Sequence, residues 1–243
     1  MTRVRVLGVD IDPVEPQELI PSVAALHKAG VPATIGYVNA HVLNQVAKHV
    51  LLKDFLTTAN LVYCDGNGVR LGAKILGRSL PARMTGADWI WDLAEYAENR
   101  WKLYWIGGEP GVAEKATATL SRKHPQLSIR TDHGFHERRG SQDIEVIDRI
   151  NEYGPDILLV GMGTPEQERW VHERRQKLKV PVVWCLGATH DSLAGVEQRG
   201  PSWLTNRAEW IARLHQNPSR MWKRYLIGNP MFMARVLRER IKD

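Results

Sequence analysis

Asp65 is the residue of this 243-residue chain best placed for acid–base chemistry. It ends the apolar run Leu61–Cys64 and opens the glycine-rich stretch Gly66-Asn67-Gly68. A carboxylate held there can take a proton from a hydroxyl or bind sugar hydroxyls. It can equally form an Asx-turn or cap the next helix. Gly107-Gly108-Glu109-Pro110-Gly111 follows another apolar run and precedes a helical pattern. Backbone amides at such a junction can cradle phosphate, although the stretch matches no full nucleotide-loop signature and an ordinary tight turn accounts for it equally well. Gly161 and Gly163 follow a third run, with Gln167 and Glu168 in the first turn of the helix beyond. A glutamine there can reach a ligand, and polar first-turn residues also serve simply to complement a helix start. Asp88 has the same two readings, ligand contact or helix cap. His190-Asp191 stands without a second His or Cys at metal-ligand spacing, so no metal site is expected. A Gly-x-Ser-x-Gly nucleophile elbow is also absent.

These residues need a frame that brings them together, and the hydropathy pattern supplies one. Residues 4–9, 33–38, 61–65, 102–108, 127–132, 156–163 and 180–188 read as strands. Residues 16–29, 39–50, 111–124, 141–152 and 165–178 have helical spacing between them. The runs 156–163 and 180–188 are almost continuously apolar, as in strands buried on both faces of a parallel sheet. The alternation predicts an α/β fold with a Rossmann-like, largely parallel sheet and helices on both faces. Ligands of such sheets bind beyond the carboxyl ends of the strands. That is where Asn39, Asp65, Gly107, Gly161 and Gly187 fall.

Charge divides the chain differently. There are 33 Lys and Arg against 27 Asp and Glu, a net of +6. Residues 199–243 alone carry ten basic and three acidic side chains, so the body is close to neutral and the tail is strongly basic. We therefore expect an α/β domain over 1–198 and a basic amphipathic appendage over 199–243. In the appendage Trp203, Trp210, Trp222 and Tyr225 interleave with arginines, and Met231, Met233, Val236, Leu237 and Ile241 form an apolar side. Such a segment suits an anionic partner: a membrane surface, a phosphorylated ligand or nucleic acid. A nucleic-acid-binding module with a basic arm is the rival reading, but a binder of that kind would carry basic residues along the body as well. No nucleic-acid partner is expected on that ground. Cys64 and Cys185 lie in apolar surroundings and read as buried thiols of a reducing cytoplasm. No run approaches 18 apolar residues and the N-terminus has no signal core, so neither a membrane span nor export is expected. The sequence is compatible with a homo-oligomer.

Taken in order, the motifs resemble the WecG/TagA/CpsF family of bacterial glycosyltransferases (glycosyltransferase family 26). They are Tyr-Val-Asn-Ala-His (37–41), Cys-Asp-Gly-Asn-Gly-Val (64–69), Arg-Met-Thr-Gly-Ala-Asp (83–88), Trp-Ile-Gly-Gly-Glu-Pro-Gly-Val-Ala-Glu (105–114), Asp-His-Gly-Phe (132–135) and the run from Pro155 to Glu168. In the tail they are Arg-Gly-Pro-Ser-Trp (199–203), Glu-Trp-Ile-Ala-Arg-Leu (209–214) and residues 218–230. The resemblance implies an inverting, metal-independent transferase with no cofactor beyond its donor. It implies transfer of N-acetylmannosamine, its uronic acid or glucose from a UDP-sugar to a sugar on a polyprenyl-diphosphate carrier. The reaction would occur at the inner face of the cell membrane.

The resemblance also implies the site. Asp65 corresponds to the family's candidate base, and Asn39, Arg83 and Gln167 to polar residues of its pocket. Tyr37, Asp88, Gly107, Gly108, Gly134, Phe135, Gly161, Gly163 and Asp191 correspond to substrate-binding positions. Arg213, Arg220 and Arg224 correspond to tail arginines that close over the site and steady a diphosphate, a task suited to guanidinium forks. Four positions depart from the family pattern. Tyr37 stands where threonine is usual, His190 where phenylalanine is usual, and Gly200 replaces an alanine. Arg207-Ala208 lacks the customary glycine.

Overall fold

Ile157–Gly161 (β7) and Val182–Cys185 (β8) are buried at every position and pair with each other at the centre of a sheet. Ala33–Val38 (β3) lies beside β8, and Leu61–Cys64 (β4) beside β3. On the other side Lys102–Gly107 (β5) pairs with β7, and Ser128–Asp132 (β6) with β5. All six strands are parallel, in the order β4-β3-β8-β7-β5-β6. The computed structural model describes residues 2–195 and 221–242. The 198/199 boundary, Arg213, Arg220, Trp203, Trp210 and the Gly200 and Arg207-Ala208 departures lie outside the described residues.

Helices Leu19–Lys28 (α1), Ala40–Val46 (α2), Val50–Thr58 (α3), Asn67–Ile75 (α4) and Gly86–Ala97 (α5) occupy the first half of the chain. Val112–Lys123 (α6), Ser141–Tyr153 (α7), Glu166–Arg174 (α8) and the short Thr189–Leu193 (α9) follow. The register assigns the two layers. Ile35 is paired with Trp184, so both point to one face, and Gly36 to the other. Trp184 stacks on Trp89 of α5 with ring centroids 3.8 Å apart. A Cβ on Gly36 would stand 3.0 Å from Phe55 and Leu56 of α3. Helices α1, α5, α6 and α9 therefore cover one face, and α2, α3 and α8 cover the other. The expected α/β architecture holds, and Cys64 and Cys185 are free, buried thiols.

Three elements differ from the sequence expectation. Residues 4–9 are not one strand but a hairpin, Val4–Val6 (β1) with Val9–Ile11 (β2), antiparallel. Leu7 and Gly8 both adopt positive φ, 50° and 80°, which reverses the chain within two residues. The helix expected over 39–50 stops at Val46, and the chain restarts as α3. The restart brings Leu52, Phe55 and Leu56 against the sheet, burial that a straight continuation could not deliver. The helix expected to reach 178 ends at Arg174, and Arg175 then donates to the carbonyls of Leu178 and Val180.

The tail helix Gly228–Lys242 (α10) is joined to a π-helical turn, Lys223–Ile227. Its expected apolar side is divided. Phe232 and Val236 pack over Gly72 of α4, and Met233 is partly buried, whereas Met231, Leu237 and Ile241 face outward. Two partly buried polar ties fix it to α2. Asn44 Nδ2 donates to the Gly228 carbonyl at 2.7 Å, and Arg235 donates to the Leu43 carbonyl at 2.7 Å. At Gly72 a Cβ would lie 2.9 Å from the Phe232 ring. Gly72→Val is expected to cost about 1–3 kcal/mol through overpacking. Denaturant unfolding should show that loss, and limited proteolysis should show earlier cleavage around residues 221–242.

Candidate active site

The chain leaves β3 toward one edge of the sheet and leaves β5 toward the other, with β7 and β8 filling the gap. The crevice of an open parallel sheet lies at this reversal. Asn39 follows β3 and caps α2: its Oδ1 accepts from the Val42 amide at 3.0 Å. That bond orients the amide, so Nδ2 donates to Asp65 Oδ2 at 3.1 Å. The Asp65 amide donates to the Val38 carbonyl, locking the backbone of the carboxylate to β3. The Met84 amide donates to the Cys64 carbonyl, which runs the Arg83 segment alongside the end of β4. Asp65 and Arg83 are half-buried. With burial as the larger cause, the Asp65 charge adds to raising Tyr37 and Tyr63 and pushes the Cys64 thiol up to about 11. Asp88 is the N3 partner of the Thr85 cap, accepting from the Thr85 amide and hydroxyl at 3.2 and 2.6 Å. Its helix-cap reading is thus realised.

Gln167 and Glu168 are 0% and 1% exposed, so they form the floor of the crevice, not decoration of a helix start. Gln167 Oε1 accepts from the Gly187 amide at 3.0 Å, and its Nε2 donates to Glu168 Oε1 at 2.6 Å. The Thr164 hydroxyl donates to the same oxygen at 2.8 Å and lies 3.4 Å from the Tyr37 hydroxyl. Tyr37 in turn fills the space over Gly187, where a Cβ would stand 2.6 Å from the phenol oxygen. Burial raises Glu168 to about 7, and the Gln167 and Thr164 bonds oppose the rise.

The glycines after the strands are demanded by packing. A Cβ on Gly107 would lie 2.4 Å from the Gly161 carbonyl, and one on Gly134 3.1 Å from the Gly107 Cα. Cβ atoms on Gly108 and Gly161 would each lie 2.7 Å from the His190 ring. His190 is 3% exposed, contacts Asp191 at 3.3 Å and meets Trp105 edge-on. It packs against the ends of β5 and β7, which remain paired through Gly107 and Gly161. Gly163 adopts φ +78° with nothing near its Cβ direction, so its requirement is conformational. Phe135, 68% exposed, stands at the rim. Among the described residues no group of three or more His, Cys, Asp or Glu is gathered to hold a metal ion.

Arg224, in the π-turn, reaches the crevice electrostatically. Its charge adds to burial in lowering His41 of α2 to about 4, so His41 is neutral at physiological pH. It also partly offsets the rise at Tyr37. The Asn44 and Arg235 ties hold this segment against α2, whose cap is Asn39.

Residues 4–243 match the family model described as Glycosyl transferase WecG/TagA/CpsF family. The chain belongs to the WecG/TagA/CpsF glycosyltransferase family. Among curated proteins it is similar to an N-acetylglucosaminyldiphosphoundecaprenol N-acetyl-beta-D-mannosaminyltransferase of Staphylococcus aureus strain MW2. The two are 26% identical over 246 residues, covering 99% of this chain and 94% of the relative. The relative of that name in strain NCTC 8325 / PS 47 has the same identity and coverage.

In this family member the structure brings Asn39, Asp65 and the Arg83 segment together at the ends of β3 and β4, and Tyr37, Gly161, Gly163 and Gln167 at the central strand ends. The sequence did not single out Thr164 or His41, and it offered Glu168 only as a first-turn residue of a helix. Glu168 carried a readable signal: a carboxylate one turn after two glycines, on a helix whose next residues include the apolar Trp170 and Val171. Its folded value exceeds its ordinary one, so the folded state binds more protons between about 4.5 and 7. Stability contributed by this group is therefore present at low pH and lost as pH rises through that window. The loss is on the order of 3 kcal/mol. Glu168→Gln should remove this dependence, so denaturant unfolding at pH 5 and pH 8 should differ less for the variant than for the parent.

Proposed function

We propose that the protein transfers N-acetylmannosamine from UDP to the sugar of N-acetylglucosaminyl-diphosphoundecaprenol, with inversion and without a metal or cofactor. The names of the Staphylococcus aureus relatives support the choice of sugar and carrier. The observation that carries the chemistry is the Asn39–Asp65 pair: a carboxylate fixed by a capping amide at the open edge of a parallel sheet.

In this reading Asp65 takes the proton of the acceptor hydroxyl as its oxygen attacks the anomeric carbon. Attack comes from the side opposite UDP, the carbon–oxygen bond to UDP breaks, and configuration inverts. The leaving diphosphate gains negative charge, which Arg224, Arg213 and Arg220 offset. Arg83 lies on the Asp65 side and binds substrate there. Tyr37 narrows the centre of the crevice relative to a threonine and shapes the donor pocket.

The tail supplies the approach to a lipid-borne substrate. No helix among the described residues is long and apolar enough to cross a membrane. Trp222, Leu226, Ile227, Leu237 and Ile241 are nonetheless exposed among Lys223, Arg238, Arg240 and Lys242. Apolar residues set among cations suit an anionic bilayer surface. We place the protein peripherally on the cytoplasmic face, where both substrates meet.

Asp65→Asn should fold normally and lose about 10²–10⁴-fold in turnover, the usual contribution of a general base. The assay is UDP release from a panel of UDP-sugars, with a short polyprenyl-diphosphate-sugar acceptor and chelator present. Full turnover in that variant would remove Asp65 from the mechanism. The paired change Leu237→Glu and Ile241→Glu should release the protein from anionic vesicles in a flotation assay without changing its melting temperature appreciably.

A further inference from the structure

Glu168 is a buried carboxylate of the crevice that the proton transfer above does not use. One of its oxygens does two things. Oε1 accepts from the Gln167 amide at 2.6 Å and from the Thr164 hydroxyl at 2.8 Å. Gln167 passes the tie to the Gly187 amide at 3.0 Å, in the loop after β8. Thr164, having donated its proton, offers a lone pair to the Tyr37 hydroxyl at 3.4 Å. A single oxygen thus joins the loops after β7 and β8 and the end of β3, the three central strand ends of the crevice. Oε2 is buried and has no hydrogen-bond partner among the described residues.

We propose that Glu168 is a positioning residue: Oε1 clamps Thr164 and Gln167, and through them holds the Tyr37 hydroxyl and the Gly187 loop in the geometry that receives the donor. The clamp requires an acceptor at Oε1, and a charge there strengthens both bonds. The titratable groups facing it are Tyr37 from β3, Cys185 from β8 and Glu166 from its own helix. Tyr37 and Cys185 are both held well above their ordinary values, chiefly by burial, so they are neutral near pH 7. Of Glu168, Tyr37 and Cys185, Glu168 is the one that titrates in that range.

The kinetic consequence rests on the proposed transferase reading, whereas the structural consequence does not. The experiment compares the full-length protein with Glu168→Gln, which keeps an acceptor oxygen, and Glu168→Leu, which keeps volume alone. In the UDP-release assay Glu168→Leu should lower kcat about 10–100-fold, as small misplacements of a reacting group do, with donor KM changed by less than about threefold. Glu168→Gln should restore most of kcat. Equal loss in both variants, or wild-type kcat in Glu168→Leu, overturns the proposal. In ¹⁵N-labelled protein the Gly187 amide resonance should titrate near pH 7 in the parent and stay constant in Glu168→Gln. It should also exchange with solvent at least about tenfold faster in Glu168→Leu. An unchanged Gly187 amide in Glu168→Leu overturns the clamp whatever the activity. If the parent releases UDP from no donor, the transfer reading fails and the amide measurement alone decides. If Glu168→Leu does not fold, Thr164→Val removes half of the clamp and should lower kcat several-fold; wild-type kcat there overturns the proposal equally.

Discussion

Everything in this molecule follows from six strands running the same way. A parallel strand cannot be joined to its neighbour by a tight turn, so each return crosses a face of the sheet, and here helices make the crossings. All six carboxyl ends therefore open at one edge, and every loop that could touch a ligand starts there. The helices α2, α4, α5, α6 and α8 begin at this edge too, with their positive ends toward it. A carboxylate such as Asp65 is at ease in that field, and so is a substrate carrying two phosphates. Burial of β7 and β8 on both faces makes the arrangement stiff where the crevice is deepest.

What the sequence showed and what it hid divide along physical lines. The strands were legible because buried parallel strands are apolar without interruption, as in Ile157–Gly161 and Val182–Cys185. Asp65 and the glycine loops were legible because they interrupt those runs at a predictable edge. Which glycines make room for protein and which for a ligand was not legible. Gly108 and Gly161 make room for His190, a residue about 29 to 82 positions away along the chain, and only the fold brings the three together. Glu168 was misjudged because helix polarity favours acidic residues in a first turn, a local rule that burial overrides. The split at residues 47–49 was missed because both helices carry apolar residues at compatible spacing. Their interruption is set by the sheet surface that α3 must cover.

The tail shows how net charge can be right about a partner and silent about placement. Its cations and aromatic residues suggest an anionic surface. Composition does not reveal that Arg235 is committed to the Leu43 carbonyl and the Asn44 side chain of α2, or that Phe232 and Val236 belong to the core. The helix is thus an integral part of the body on one side and an exposed apolar and basic strip on the other. Its tie to α2 brings Arg224 within electrostatic reach of Tyr37 and His41, which connects the basic segment to the same crevice as Asp65.

One neighbour of Asp65 has a chemical consequence of its own. Cys64 is buried, its thiol donates to the Gly66 carbonyl, and it keeps its proton up to about pH 11. The attacking species in sulfur chemistry is the thiolate. Cys185, enclosed in β8, is shielded in the same manner. The sulfur adjoining the crevice is therefore a packing atom and not a nucleophile. The fold keeps both thiols out of reach of electrophiles and peroxides, so oxidative stress and alkylating reagents have no cysteine handle on this site.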